Sequence, residues 1–223
     1  RASESGAAEV VVATDDERIR AVAEGFGARV CLTASAHPSG TDRLAEVVDQ
    51  LGWPDDALVV NLQGDEPLLD PALLDAVAAD LAAQSEAAMA TLATPLTDPA
   101  QLMDPNLVKV VTDAAGFALY FSRAAIPWHR DHYRPGEPPP AAGLAGLQRH
   151  IGLYAYRAGL LRDFVRWPPA PLEQIEKLEQ LRVLWQGRRV HVLPVAEMPD
   201  AGVDTPADLE RVARLLAAQS PVG

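Results

Sequence analysis

The sequence predicts an α/β protein with a mostly parallel central sheet, helices on both faces and a smaller mixed or antiparallel extension. Three observations predict it. Short β-branched runs alternate with amphipathic segments between residues 9 and 84, the order that builds a parallel sheet with crossover helices. The runs are apolar throughout instead of alternating, which suits strands buried on both faces. After residue 85 several strand-like runs follow one another, the pattern of an antiparallel addition.

Taken in order, Arg1 to Gly6 read as the tail of a helix closed by glycine. EVVVAT (9–14) is a strand, and DDERIRAVAEGFG (15–27) is a helix with acidic residues in its first turn and glycine at its end. RVCL (29–32) is a short strand and TDRLAEVVDQLG (41–52) a second capped helix. ALVVNLQ (57–63) is the strongest strand, and DPALLDAVAADLAAQ (70–84) a helix with Asp70 as N-cap and Pro71 at its first position. MATLATPL, NLVKVVTDAAGFALYFSR and HIGLYAYR are strand-like, with TDAAG as a turn. RPGEPPPAAGLAG (134–146) reads as a surface loop too poor in bulky side chains to pack well. PLEQIEKLEQLRVLWQG (171–187) places Leu172, Ile175, Leu178, Leu181 and Trp185 at helical spacing, with Glu173 and Lys177 at i, i+4. The strand VHVLPV and the helix TPADLERVARLLAAQ follow.

With 223 residues and 48% hydrophobic composition, the expectation is one domain over 1–223, with roughly 105–157 as its strand-rich extension. The formal charge of −12 argues against a nucleic-acid partner and against an anionic membrane surface. Small anions are still allowed where basic groups converge. Cys31 lies in an apolar stretch and is expected to be a buried, inert thiol. No apolar run approaches the ~20 residues of a membrane span, and RASESGAAE has no signal-peptide core, so a soluble, cytoplasmic protein is expected. The chain opens without Met and enters a strand almost at once, which suggests that a preceding segment has been lost.

VVNLQGDEPLLDP (59–71) runs a core strand into an amide, a glycine, two carboxylates and a proline. In an open sheet, ligands bind beyond the carboxyl ends of strands, and Asp15, Gln63, Gly64 and Asp65 fall at such ends. Asp65 suits a hard oxygen ligand for Mg²⁺, which usually takes one or two carboxylates plus phosphates. The alternative is that Asp65 or Glu66 only caps the following turn. In GVDTPADLERV (202–212), Thr205 and Asp208 form a capping box, which leaves Asp204 without an obvious structural role. HPSGTDRLAEV (37–47) offers Ser39, Gly40 and Thr41 at a helix start, followed by Arg43. These groups suit a base, ribose or phosphate, or else form a plain helix entry. Arg149 and His150, placed just before a strand, read as an anion clamp.

ATDD, HPSGTDRLAEVV, VVNLQGDEPLL, DPNLVKVVTDAAGFALYFSRAAIPW, RHIGLYAYR, PLEQIEKLEQLRVLWQG and GVDTPADLERV together resemble the 3-deoxy-manno-octulosonate (Kdo) cytidylyltransferase family, the CMP-Kdo synthetases, along essentially the whole chain. The resemblance implies a Rossmann-like nucleotidyltransferase fold and a homodimer with the strands around YFSRAAIPW near the subunit contact. It implies transfer of CMP from CTP to Kdo with release of pyrophosphate, for lipopolysaccharide assembly. It implies that Asp65 and Asp204 hold Mg²⁺, that Gln63 and His150 contact the sugar acid, and that Arg43 lies at the active site. A glutamate at Glu173 or Glu176 joins them; the residue readings above add Arg149 as a substrate contact, Ser39, Gly40, Thr41 and Asp15 as nucleotide contacts, and make Asp65 and Asp204 the catalytic candidates. The family opens with a strand and a basic, glycine-bearing loop that wraps the triphosphate, and no such motif occurs here. The chain taken alone is therefore expected to have an unfilled central strand position, an unpaired sheet edge and very weak CTP binding. The rival readings are cytidylyl transfer to another acidic sugar, such as a sialic acid, and a non-catalytic dimerising fragment.

Overall fold

The computed structural model describes residues 1–134, 137, 140–198 and 202–219. The first half follows the expected alternation: β1 (Val11–Thr14), α1 (Glu17–Gly25), β2 (Arg29–Leu32), α2 (Gly40–Leu51), β3 (Leu58–Asn61) and α3 (Pro71–Ala83). Each helix begins where a short acceptor side chain can satisfy a free backbone donor. Asp16 accepts from Arg18 N at 2.7 Å, Ser39 from Asp42 N at 3.3 Å and Asp70 from Ala72 N at 2.9 Å. Gly52 closes α2 at φ +65°, a conformation that favours glycine.

The second half comprises β4 (Ala87–Pro95), α4 (Pro99–Met103), β5 (Lys109–Thr112), β6 (Ala118–Ser122), β7 (Gln148–Arg157), α5 (Ala158–Phe164), α6 (Pro171–Glu176), α7 (Gln180–Trp185), β8 (Arg189–Pro194) and α8 (Pro206–Gln219). β1 and β2 form a parallel pair. The other six strands share one sheet in the order β6-β5-β7-β4-β8, with β3 also paired to β7. β3, β4 and β5 all run antiparallel to β7, and β8 runs parallel to β4. Those four strands therefore point one way, as an α/β sheet requires, yet most ladders are antiparallel because β7 runs through their middle. HIGLYAYR, expected in a peripheral extension, is thus part of the central strand. Ten residues give β7 the length to pair with β3 and β5 end to end along one edge and β4 along the other.

β1 and β3 do not pair with each other. Among the described residues, β1 pairs only with β2 and β3 only with β7. Val11 to Ala13 and Leu58 to Asn61 instead line a shared cleft with a cavity volume of about 1880 Å³. The core lies on either side of the six-stranded sheet. Val48, Met89, Phe121, Leu161 and Val190 pack in one cluster, and Val77, Leu81, Leu92 and Leu153 in another. Cys31 is buried, its thiol donates to Gln50 Oε1 at 3.2 Å, and burial pushes its pKa up, in keeping with an inert role.

Two local expectations are corrected and a third holds only in part. Arg1 to Gly6 contain a single 3₁₀ turn, Ala2–Glu4, closed at Ser5. The helix expected over 171–187 is broken: Lys177 takes the left-handed conformation at φ 55° and separates α6 from α7. The break lets Leu178 and Leu181 enter the core while Ile175 stays 77% and Trp185 55% exposed, so the five apolar positions do not form one face. In the loop at 134–146, Pro135, Gly136, Pro138 and Pro139 lie outside the described residues. Arg134, Glu137, Pro140, Ala141, Ala142, Ala145 and Gly146 are exposed, as expected of a surface loop, but Gly143 and Leu144 are buried, and Leu144 joins Leu96, Leu102, Tyr133 and Leu147 in a third cluster. Tyr133 Oη donates to Gly143 O at 2.7 Å, and a Cβ at Gly143 would meet that ring at 2.8 Å, so the close approach requires glycine.

Candidate functional site

The cleft between β1 and β3 collects chemistry from four parts of the chain. Gln63 and Gly64 follow β3, Gly40, Thr41 and Arg43 open α2, Arg149 and His150 lie on β7, and Glu179 stands at the start of α7. The first two groups reach it because strands and crossover helices deliver their ends to the same edge of an α/β sheet.

The basic groups differ in how they are engaged. Arg43 is tied down, with one guanidinium nitrogen 3.3 Å from Asp15 Oδ1 and another donating to Thr33 Oγ1. Arg149 is half-buried, and among the described residues it makes no hydrogen bond or ion pair. Burial pushes its pKa down and Asp104 partly offsets this. A partly desolvated, unpaired guanidinium at a cleft wall is a ready partner for phosphate or carboxylate. His150 behaves otherwise. It lies within β7, not ahead of a strand, and burial holds its pKa near 3, so the ring is neutral at pH 7. The clamp read from RHIG therefore has one cation, Arg149.

The acidic residues meet at the carboxyl end of β3. Asp65 O accepts from Val203 N at 2.8 Å, which brings the 202–206 segment against the 63–67 turn. Gly202 is needed there, because a Cβ would approach Asp65 O to 2.6 Å. Thr205 and Asp208 complete their capping box, with Thr205 N donating to Asp208 Oδ2 at 3.0 Å and Asp208 N to Thr205 Oγ1 at 3.2 Å. The Asp204 backbone N–H also supports the Asp208 carboxylate, but among the described residues its side chain takes no part in the box. Burial, then Asp65 and Asp204, push the Glu66 carboxyl pKa up. Among the described residues, none of these three carboxylates receives a hydrogen bond or an ion pair, so neither Asp65 nor Glu66 caps the turn. Glu66 lines the main cleft, whereas Asp65 faces an adjoining hollow that shares Gly64 and Pro67 with it.

An unneutralised group of this kind has the hard oxygen donors that a divalent cation takes. Among the described residues, no three His, Cys, Asp or Glu side chains are arranged around a common metal position. Two aspartates with phosphate and water completing the shell are the set that magnesium commonly accepts.

Other candidates have different roles. Glu173 is buried away from the cleft: it accepts from Arg182 Nε at 2.8 Å and from Ala170 N at 2.9 Å. Glu176 joins α6 to β6 by accepting from Ser122 Oγ at 2.6 Å and Arg123 N at 2.9 Å. The glutamate of that segment that reaches the cleft is Glu179, which accepts from Thr41 Oγ1 at 2.7 Å. The break at Lys177 aims it there, and a continuous-helix pattern gave no sign of it. Ser39 caps α2, with its hydroxyl donating to Asp42 Oδ2 at 2.6 Å, while Gly40 and Thr41 face the cleft. Lys109 is a further residue that sequence reasoning missed. Fully buried, its Nζ donates to Asp104 O at 2.9 Å, Leu107 O at 2.5 Å and Arg123 O at 2.6 Å, and so secures the 106–108 wall of the cleft.

Residues 1–190 match the family profile described as Cytidylyltransferase, which sets the class of protein. A 3-deoxy-manno-octulosonate cytidylyltransferase from Pseudomonas fluorescens is 57% identical over 218 residues, 98% of this chain and 85% of the relative. One from Idiomarina loihiensis is 54% identical over 215 residues, 96% of this chain and 85% of the relative. A solved structure of CMP:2-keto-3-deoxy-manno-octonic acid synthetase complexed with CTP superposes with a TM-score of 0.86 at 37% identity, covering 98% of this chain and 85% of that one. The chain belongs to the 3-deoxy-manno-octulosonate cytidylyltransferase family.

Proposed function

We propose that the chain transfers CMP from CTP to 3-deoxy-manno-octulosonate and releases pyrophosphate, with the cleft between β1 and β3 as its active site. The observation that carries the site assignment is the opposition of unmatched charges. Arg149 is a cation with no side-chain partner among the described residues on one wall of the cleft; Glu66 lines the same cleft, and Asp65 and Asp204, which do not line it, are near enough to Glu66 to push its carboxyl pKa up. The cation suits an anionic substrate and the carboxylates a magnesium ion.

In this reading the 2-hydroxyl of the sugar attacks the α-phosphate of CTP in line, and the bond to pyrophosphate breaks. Such transfers depend on positioning and electrostatics more than on a side-chain nucleophile. Arg149 binds an anionic group of the substrate, and Arg43, held by Asp15 and Thr33, lends fixed positive charge to the α2 entrance. Gln63 and His150 offer neutral hydrogen bonds to the sugar, and Gly40 presents its backbone to the nucleotide beside Thr41, whose hydroxyl donates to Glu179. Asp65 and Asp204 would hold Mg²⁺, which when bound neutralises charge on the phosphate oxygens and orients the reacting groups.

The enzyme is proposed to work in the cytoplasm as a homodimer and to supply lipopolysaccharide assembly. Support for the dimer is β6, which pairs only with β5 among the described residues and exposes Leu119 at 63%. No helix among the described residues is long and apolar enough to cross a membrane. Pyrophosphate release with CTP and Mg²⁺ tests the reading: Kdo should support turnover and a sialic acid should not. Release with a sialic acid alone would overturn the acceptor, and no release with any acid sugar would overturn the reaction.

A further inference from the structure

We propose that Thr91 is a positioning residue that holds His150 in the neutral tautomer protonated on Nε2, so that the ring presents its Nδ1 lone pair to a hydroxyl of the sugar. This rests on the reading above that His150 faces the sugar acid.

The argument begins with one hydrogen. Thr91 is 0% exposed on β4, and its Oγ1 lies 2.8 Å from Leu153 O, 3.1 Å from Ile151 O and 2.9 Å from His150 Nε2. A hydroxyl has one hydrogen, and a carbonyl oxygen can only accept. If that hydrogen pointed at the imidazole, two carbonyl oxygens would face bare lone pairs at hydrogen-bond distance. The hydrogen therefore goes to the carbonyls, and the contact with Nε2 is made by a hydrogen on Nε2.

The sheet explains why this threonine meets these carbonyls. Thr91 is in register with Tyr154 and the next residue, Leu92, with Ile151, so Gly152 and Leu153 stand opposite no residue of β4. Such an irregularity interrupts the ladder and re-aims neighbouring side chains. The Thr91 hydroxyl fills the gap, and His150 is anchored to it from the same strand.

The ring carries one proton. Phe121 and Tyr154 are its aromatic neighbours, at centroid distances of 5.0 and 5.4 Å, and no carboxylate pairs with it among the described residues. Burial holds its pKa near 3. With the proton on Nε2, Nδ1 is an acceptor. Among the described residues nothing bonds Nδ1, and His150 borders the cleft. A carboxylate has no hydrogen to give this nitrogen, whereas a sugar hydroxyl does. Neighbouring residues thus divide the work, with Arg149 for negative charge and His150 for a hydroxyl.

Two-bond proton–nitrogen correlation spectra of the ¹⁵N-labelled chain test this, with His150 assigned from the signal lost in His150→Gln. At pH 7 the Nε2-protonated pattern is expected, unchanged from pH 8 to pH 5. Thr91→Val, which keeps the volume and removes the acceptor, should move population to the Nδ1-protonated form, and Thr91→Ser should restore the original pattern. Added Kdo should shift Nδ1 upfield. In turnover, Thr91→Val should raise the KM for Kdo by about 10-fold, the scale of one hydrogen bond, with the KM for CTP unchanged. An imidazolium or Nδ1-protonated pattern in the unaltered chain would overturn the proposal, as would a tautomer indifferent to Thr91→Val. Saturating Kdo that shifts other cleft resonances but not Nδ1 would overturn the acceptor role. Kdo that shifts nothing would overturn the sugar-acid reading itself, and the tautomer measurement separates the two failures.

Discussion

Replacing Glu173 by alanine should destabilise the fold without damaging the catalytic step. Its carboxylate accepts from Arg182 Nε at 2.8 Å, Arg182 Nη2 at 2.5 Å and Ala170 N at 2.9 Å, and both charged side chains are only 10% exposed. Without it, Arg182 retains Phe164 O at 3.4 Å and the Phe164 ring 4.0 Å from its guanidinium carbon. Neither neutralises a buried cation. Breaking such a pair from one side costs about 3–5 kcal/mol, and the Ala170 N–H orphaned by the same change favours the upper half of that range. At about 2–4 °C per kcal/mol for a chain of this size, Tm should fall by roughly 6–20 °C. Thermal unfolding by circular dichroism reads the loss, and kcat and KM measured well below the transition should stay within about twofold of the unaltered chain. An unchanged Tm with a KM for Kdo raised tenfold would refute the reasoning and place Glu173 at the sugar.

Asp65→Asn and Asp204→Ala should each lower magnesium-dependent turnover by about 100-fold or more, the scale of losing one electrostatic element of a transfer site, with Tm little changed. If Asp204→Ala lowers only Tm, its role is structural. Arg149→Gln should raise the KM of an anionic substrate by roughly 10- to 150-fold, since a charged hydrogen bond contributes about 1.5–3 kcal/mol; steady-state kinetics with CTP and Kdo varied separately identify which one. For Glu66 the folded-state pKa is raised, so the native state holds its proton more tightly than the unfolded chain and stability falls as pH rises through the interval between the two values. Glu66→Gln should therefore raise Tm at pH 7 in the absence of Mg²⁺, and the gain should vanish below the ordinary carboxylate range; denaturant unfolding at several pH values checks this.

The alternation of strands and helices was legible because each element obeys local rules. Asp16, Ser39 and Asp70 cap their helices from within one turn, and the Thr205–Asp208 box is closed over three residues. The same locality made the Asp204 side chain recognisable as one left out of its own cap. Pairing was not legible in this way. That β7 runs through the middle of the sheet depends on which strands lie beside it, and no strand's composition records its neighbours. The break at Lys177 was equally hidden, since Leu172, Ile175, Leu178, Leu181 and Trp185 fit one helical face until the core takes only some of them.

The sequence by itself determined the class of fold, the family and the short segments from which the site is drawn, because caps, periodicity and motif order are properties of neighbouring residues. Only the tertiary structure decided what each charge does. It buried Glu173 with Arg182, tied Arg43 to Asp15, left the Arg149 side chain without a partner among the described residues and took the charge from His150. Protonation and pairing depend on solvent access and on partners far away in the chain, and those exist only once the sheet has formed.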